Sequence, residues 1–241
     1  MFFRSLFFTS LVLLLTGCSA SKLAENPDPW EGYNRKVFLF NQFADKVAIR
    51  PVAAAYNAVL PDTVEKGINN AFDNINQIPT VANDILQWRI GHAVADTWRF
   101  AINSTIGIGG LFDVAKSLGL KPHYEDFGLT LRRWGFSTPY FVIPFLGSST
   151  VGDSTALIVD YEAFSIYPRI DSLAWRYSLL GLDFVRLRTN LLPTDDLVRK
   201  AFDPYVFVRD AYLQRREYLM NQAELDEDMY KAMPPARVMS Y

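Results

Sequence analysis

Cys18 is the only cysteine among 241 residues, so no disulfide can form within the chain and the fold must rest on packing and polar contacts. Its position constrains the chain further. It closes Leu15-Thr16-Gly17-Cys18, behind an apolar run from Leu6 to Leu15 that only Thr9 and Ser10 interrupt, with Arg4 the sole charge before it. A basic end, an apolar stretch of about 7–15 residues and small residues at the cut define an export signal. A membrane-spanning helix would need about 20 apolar residues. The Leu-small-Gly-Cys order adds a lipid-attachment site. The alternative, an ordinary export signal followed by a chance cysteine, must place the one cysteine of the chain at the one position the pattern requires. Residues 1–17 are therefore expected to be removed and Cys18 to carry acyl chains such as palmitate. Several chains on one residue anchor stably where one binds marginally. An aspartate after the lipidated cysteine favours retention in the inner membrane; here the residue is Ser19, so the outer membrane is expected.

Removing the first 17 residues leaves 224, enough for one large domain or two small ones. Half of the residues are hydrophobic and the net charge is −2, with no basic stripe of the kind that marks a nucleic-acid partner. Phenylalanine alone occurs 18 times, heavy for a globule facing water on all sides. Residues 18–27 are expected to be a lipidated tether, 28–222 a helical domain and 223–241 an acidic, flexible tail that includes Glu224-Leu225-Asp226-Glu227-Asp228.

Apolar spacing predicts a mainly helical body. Val37, Phe40, Ala44 and Val47 share one helical face, and Pro51 and Pro61 bracket a short segment. Leu86, Ile90, Val94, Trp98 and Ile102 recur every four residues and predict one helix over 81–102, with Asp84, Arg89, Asp96 and Arg99 falling mainly elsewhere around it. Shorter and longer helices are expected over 110–118, ended by Gly119, over 172–190, and from Pro204 onward. Tyr140-Phe141-Val142-Ile143 is the one plausible strand, closely flanked by Pro139 and Pro144. The stretch from Phe136 to Leu146 has no amphipathic alternation, so it lies in the core or contacts lipid.

Catalytic chemistry is hard to find. Gly147-Ser148-Ser149-Thr150 lacks the second glycine of a nucleophile elbow. Gly107-Ile108-Gly109-Gly110 misses the dinucleotide spacing because Phe112 stands where the third glycine belongs, and no Gly-Lys-Ser/Thr follows; a helix-capping loop is the better reading. His92 and His123 are the only histidines, and a zinc site would need carboxylate partners that the spacing does not supply. His92 reads as a surface or packing residue within a helix. Glu125-Asp126 and Asp195-Asp196 read as solvated loop charges. No catalytic residue, metal or cofactor is expected, and the chain is expected not to be an enzyme.

Asp28-Pro29-Trp30-Glu31-Gly32-Tyr33-Asn34-Arg35, Arg50-Pro51-Val52-Ala53-Ala54-Ala55-Tyr56, the run from Arg99 to Ala115, Glu125-Asp126-Phe127-Gly128-Leu129-Thr130-Leu131 and Tyr140-Phe141-Val142-Ile143-Pro144-Phe145-Leu146-Gly147 stand in this order behind the lipid-attachment signal. Together they resemble the MlaA (VacJ-like) family of outer-membrane lipoproteins over about residues 28–160. Gly152 departs from the arginine that family members usually carry before the matching aspartate. The resemblance implies an all-α single domain, a ring of short amphipathic helices embedded in the periplasmic leaflet of the outer membrane around an amphipathic channel. It implies removal of mislocalised phospholipids from the outer leaflet, with a trimeric porin and a soluble periplasmic lipid carrier as partners. A structural lipoprotein that braces a porin, and a phospholipase, are the rival readings. Within that frame Trp30, Tyr33 and Phe40 are candidate interface aromatics or core, and Tyr140, Phe141, Val142, Ile143 and Phe145 a candidate lipid-facing hairpin or core. Gly107, Gly109 and Gly110 are candidate hinge or packing glycines.

Overall fold

The computed structural model describes residues 26–232, with side chains described through residue 221. The export signal, Cys18 and the tether up to residue 25 lie outside the described residues. Helix follows helix: α1 Glu31–Ala44, α2 Arg50–Val59, α3 Asp62–Ile75, α4 Gln77–Leu86, α5 Ile90–Thr105, the short α6 Val114–Ser117 and α7 Phe127–Arg133. A hairpin of β1 Tyr140–Ile143 and β2 Gly147–Thr150 leads into α8 Val151–Val159, followed by α9 Leu173–Leu191, α10 Asp195–Lys200 and α11 Pro204–Ala232. The fold is mainly helical, as the spacing predicts. Among the described residues no helix is long and apolar enough to cross a membrane.

Local chemistry explains several boundaries. The turn Asp45–Ile49 joining α1 to α2 is a π-helix that ends just before Pro51, whose missing N–H cannot serve the regular ladder. Asp113, Asp126, Thr150 and Ser172 cap α6, α7, α8 and α9 with side-chain acceptors, each satisfying a donor that the first helical turn leaves unpaired. After α5 the chain turns through Gly107–Phe112, so the helix expected over 110–118 is confined to Val114–Ser117. That turn is the helix-capping loop read from the glycines. A Cβ on Gly107 would stand 2.3 Å from the Phe112 carbonyl, and one on Gly110, whose φ is +90°, would stand 2.6 Å from the Asn74 Cβ. Both are packing positions. Gly109 has φ +67° and open space around it, so there the backbone conformation alone asks for glycine.

Two expectations need correction. The helix expected over 81–102 is two helices, α4 and α5, reversed at Gln87–Arg89 with Trp88 at φ 60°. Neither glycine nor proline marks the break. It is held by tertiary bonds: the Gln87 amide donates to Glu125 and Thr130 at 2.9 Å each, and Arg89 pairs with Glu125 at 2.5 Å. The last helix also runs past residue 222, the expected end of the domain, through the acidic stretch to Ala232.

Candidate functional site: an apolar exterior around a polar interior

The hairpin is seated by two asparagines one heptad apart on α1. Asn34 donates from Nδ2 to the Tyr140 carbonyl (3.3 Å) and accepts the Val142 N–H at Oδ1 (2.9 Å). Asn41 repeats the pattern, donating to the Ile143 carbonyl (2.9 Å) and accepting the Phe145 N–H (2.7 Å). Each amide bonds a strand edge as a neighbouring strand would, which satisfies backbone groups that burial would otherwise leave costly. Beneath the hairpin, Tyr140 and Val142 are 1% exposed and pack with Tyr205 of α11; the Tyr205 hydroxyl donates to the buried Asp28.

This alternation divides the candidate lipid-facing residues. Tyr140 and Val142 belong to the core, which corrects their assignment to a lipid face: successive strand residues point to opposite sides. Phe141 turns outward and stacks on Tyr33 with centroids 5.5 Å apart, with Trp30 edge-on at 6.2 Å. Phe40 and Phe145 meet edge-on at 5.0 Å. Trp30, Tyr33, Phe40 and Phe145 are exposed, while Phe141 and Ile143 are half-buried. The structure thus gathers five predicted aromatics into one ridge along α1 and the hairpin.

The ridge is part of a wider reversal of polarity. All five tryptophans are exposed, from 45% at Trp30 to 85% at Trp88. On α4 and α5 the four-residue stripe faces out: Ile85, Ile90, Val94 and Trp98 are exposed while Asp84, Arg89, Asp96 and Arg99 are buried. Among the described residues, buried polar side chains outnumber buried hydrophobic ones 21 to 11. The reverse is normal for a protein bathed in water, and exposed apolar surface on this scale marks a membrane or protein contact.

The interior is polar but connected. Asn83 donates to Asp160 at 2.9 Å and accepts from Thr130 at 2.8 Å. Arg99 forks onto Asp113, which also accepts from Asn103 at 3.0 Å. Arg216 of α11 reaches Asp126 and Asp153 at 2.5 and 2.6 Å. Glu125 and Asp126 are therefore interior ion-pair members, not solvated loop charges; adjacent residues in extended chain point apart, and each finds its own arginine. Asp195 is likewise paired, with Arg188 and Arg50 at 2.8 Å each, while Asp196 stays at the surface with Arg199.

His92 and His123, 31 residues apart in sequence, meet Nδ1 to Nε2 at 3.2 Å, and His123 lies 3.2 Å from Asp96. His92 stands in the first turn of α5 and is buried, so of its two expected settings packing is the observed one. Among the described residues no group of three or more His, Cys, Asp or Glu could hold a metal ion. Burial, then the neighbouring Asp96 and Glu125 carboxylates, push the Asp84 carboxyl up to about 8. Burial alone leads for Asp160, pushed up to about 6. Asp126 is held below the ordinary carboxylate value: burial opposes this, but the bonds and charge of Arg216 prevail. Gly152, the position that departs from the family pattern, lies against Thr138: a Cβ there would stand 2.9 Å from its hydroxyl.

The functional features that the sequence reading did not single out are the seating asparagines and the interior ion pairs. Their partners lie 90 to 108 residues away for Asp126–Arg216 and Asn34–Val142, and no local pattern announces such pairs.

Comparison with known proteins agrees with this picture. The family model of MlaA lipoprotein matches residues 26–219. The Escherichia coli intermembrane phospholipid transport system lipoprotein MlaA is 34% identical over 88% of this chain and 86% of its own length. An uncharacterised Rickettsia prowazekii protein is 37% identical over 79% of this chain and 76% of its own. A solved chain, described under the structural basis for maintenance of bacterial outer membrane lipid asymmetry, superposes with TM-score 0.70 at 30% identity, covering 80% of this chain and 98% of that one. Family model, relatives and fold coincide over nearly all the described residues, and the chain belongs to the MlaA lipoprotein family.

Proposed function

We propose that this chain is an outer-membrane lipoprotein, anchored through Cys18 on the periplasmic side, that removes mislocalised phospholipids from the outer leaflet. It passes them through an amphipathic channel to a soluble periplasmic carrier and so maintains lipid asymmetry, without catalysing a reaction. The observation that carries this reading is the reversed polarity: aromatics outside, ion pairs and amides inside. Short helices with one wet face and one apolar face sit stably at the headgroup boundary, and a lipid with charged head and apolar tails needs a polar path within an apolar shell. Exposed Trp, Tyr and Phe suit such an interface. The relatives named for intermembrane phospholipid transport support the same assignment, and a ring embedded in the inner leaflet beside a trimeric porin is consistent with it. Residues 1–17 act as the export signal in this reading, and the domain starts near residue 28.

Detergent-purified protein should carry phospholipid detectable by mass spectrometry, and deletion of the gene should raise outer-leaflet phospholipid without producing lysophospholipid. Purified protein free of phospholipid, together with an unaltered outer leaflet in the deletion strain, would refute transport and favour a bracing role. Metabolic labelling with palmitate should mark the wild type and leave Cys18→Ala unlabelled, since no other residue can accept the lipid. Equal labelling of both proteins would sink the anchor.

A further inference from the structure

Arg186 of α9 sits 3% exposed over the ring of Phe72, its guanidinium carbon 5.0 Å from the centroid. Its Nε donates to Asp183 at 2.7 Å and its Nη1 to Asp73 at 3.1 Å and Asn69 at 3.3 Å. Nη2 makes no hydrogen bond among the described residues. Asp73, on α3, is the opposite of its partner: its side chain is 69% exposed, yet burial among neighbouring protein still disfavours its charge. It therefore stands in a water-filled recess, not on an outer rim.

Two hydroxyls near this pair have no partner. The Tyr167 side chain is 5% exposed, and its hydroxyl makes no hydrogen bond among the described residues; the Tyr56 hydroxyl is likewise buried and unbonded. Both phenols lie within electrostatic reach of Arg186, and Tyr167 also of Asp183. A buried hydroxyl without a partner costs about 1–3 kcal/mol, so two beside one guanidinium ask for an acceptor. They donate, and so does Nη2. An acceptor-only group such as a phosphodiester matches all three. Asp73 and Asp183 against one Arg186 leave this trio with a net negative charge, and the exposed Asp73 carboxylate calls for a cation next to the phosphate.

The geometry points to a binding site for the headgroup of a zwitterionic phospholipid, with the phosphodiester on Arg186, Tyr56 and Tyr167 and the ammonium on Asp73. The site rests on the lipid-transport reading above and adds to it a preference: a phospholipid bearing an ammonium is favoured over one whose headgroup is a neutral polyol, because only the former supplies the cation that Asp73 attracts.

The test uses the full lipidated protein in detergent. Bound lipid is measured by mass spectrometry after equilibration with micelles containing equal amounts of phosphatidylethanolamine and phosphatidylglycerol. Tyr167→Phe removes one orphaned hydroxyl; it should lower bound phosphatidylethanolamine by about fivefold while leaving thermal stability equal or higher, since a merely structural tyrosine without a partner gains from losing its hydroxyl. Asp73→Asn, at an exposed position and with Asp183 still pairing Arg186, should bring the ratio of the two lipids towards unity. Bound lipid unchanged in amount and composition in both variants would overturn the headgroup site while leaving the transport reading intact. Wild-type protein that retains no phospholipid would overturn both. Soluble glycerophosphoethanolamine that protects the site as well as the micellar lipid, with no lipid retained, would assign it to a free phosphodiester and overturn the lipid proposal.

Discussion

Arg216→Met is expected to destabilise the protein by about 3–5 kcal/mol, the usual cost of leaving buried charges without their partner. Arg216 ties three elements: its guanidinium forks onto Asp126 at 2.5 and 2.9 Å before α7, and reaches Asp153 of α8 at 2.6 Å. Tyr212, one turn earlier on α11, donates to the other Asp153 oxygen at 2.5 Å. Methionine would leave two carboxylates facing one another without the cation that holds Asp126 below its ordinary value. The packing allows little relaxation, because a Cβ on Gly128 would already stand 2.1 Å from Asp153 Oδ1 and 2.7 Å from Arg216 Nη2. In thermal unfolding of the detergent-solubilised protein the loss corresponds to a fall of roughly 10 °C. Arg216→Lys should recover only part of it, since an ammonium cannot make the forked bond. A fall within 2 °C of wild type for the methionine variant would mean that α11 is held by other contacts.

Asp84→Asn should act in the opposite direction. Asp84 is fully buried and its carboxyl is pushed up to about 8 in the fold, against about 4 in an unfolded chain. The folded protein thus holds a proton that the unfolded chain releases. This contribution is complete below pH ~4 and is lost as pH rises through the folded value. Asp160, pushed up to about 6, adds a loss over the lower part of that window. Asp126 works the other way: its lowered value gives stability present above pH ~4 that disappears in acid. Wild-type stability should therefore peak on the acid side of neutrality and decline towards pH 8. The asparagine variant carries no proton to lose, so at pH 8 it should exceed wild type by about 2–3 kcal/mol, with the difference shrinking towards pH 5. Unfolding temperatures of both proteins across pH 5–8 decide the matter; parallel curves would show that Asp84 does not titrate in this range.

Much of the architecture was legible. The spacing of Leu173, Leu180, Phe184 and Leu187 marks α9 to within a residue of Leu173–Leu191, and Gly119, with φ +89°, closes the short α6 turn. Tyr140–Ile143 is a strand as its composition suggests. The break at Trp88 was not legible, because a tryptophan at positive φ has no local preference for that conformation. It exists only because Gln87 and Arg89 on either side find Glu125. Nor could the role of Asn34 and Asn41 be read: an asparagine on a helix is unremarkable until a strand edge lies beside it.

What the sequence determined by itself is which residues share a face and how the chain is meant to leave the cytoplasm. Apolar spacing follows from helix geometry, and the Leu15-Thr16-Gly17-Cys18 order is a linear signal; both are complete within a few turns of chain. What only the tertiary structure decided is which way those faces point. A stripe such as Ile90, Val94 and Trp98 carries the same period whether it packs into a core or meets lipid, because periodicity records common direction and not the medium encountered. The direction was settled by the other face. Asp84, Asp96, Arg99, Asp126 and Arg216 found partners across α5, α7, α8 and α11, and charges that pair inside the protein leave the aromatics to cover its outside.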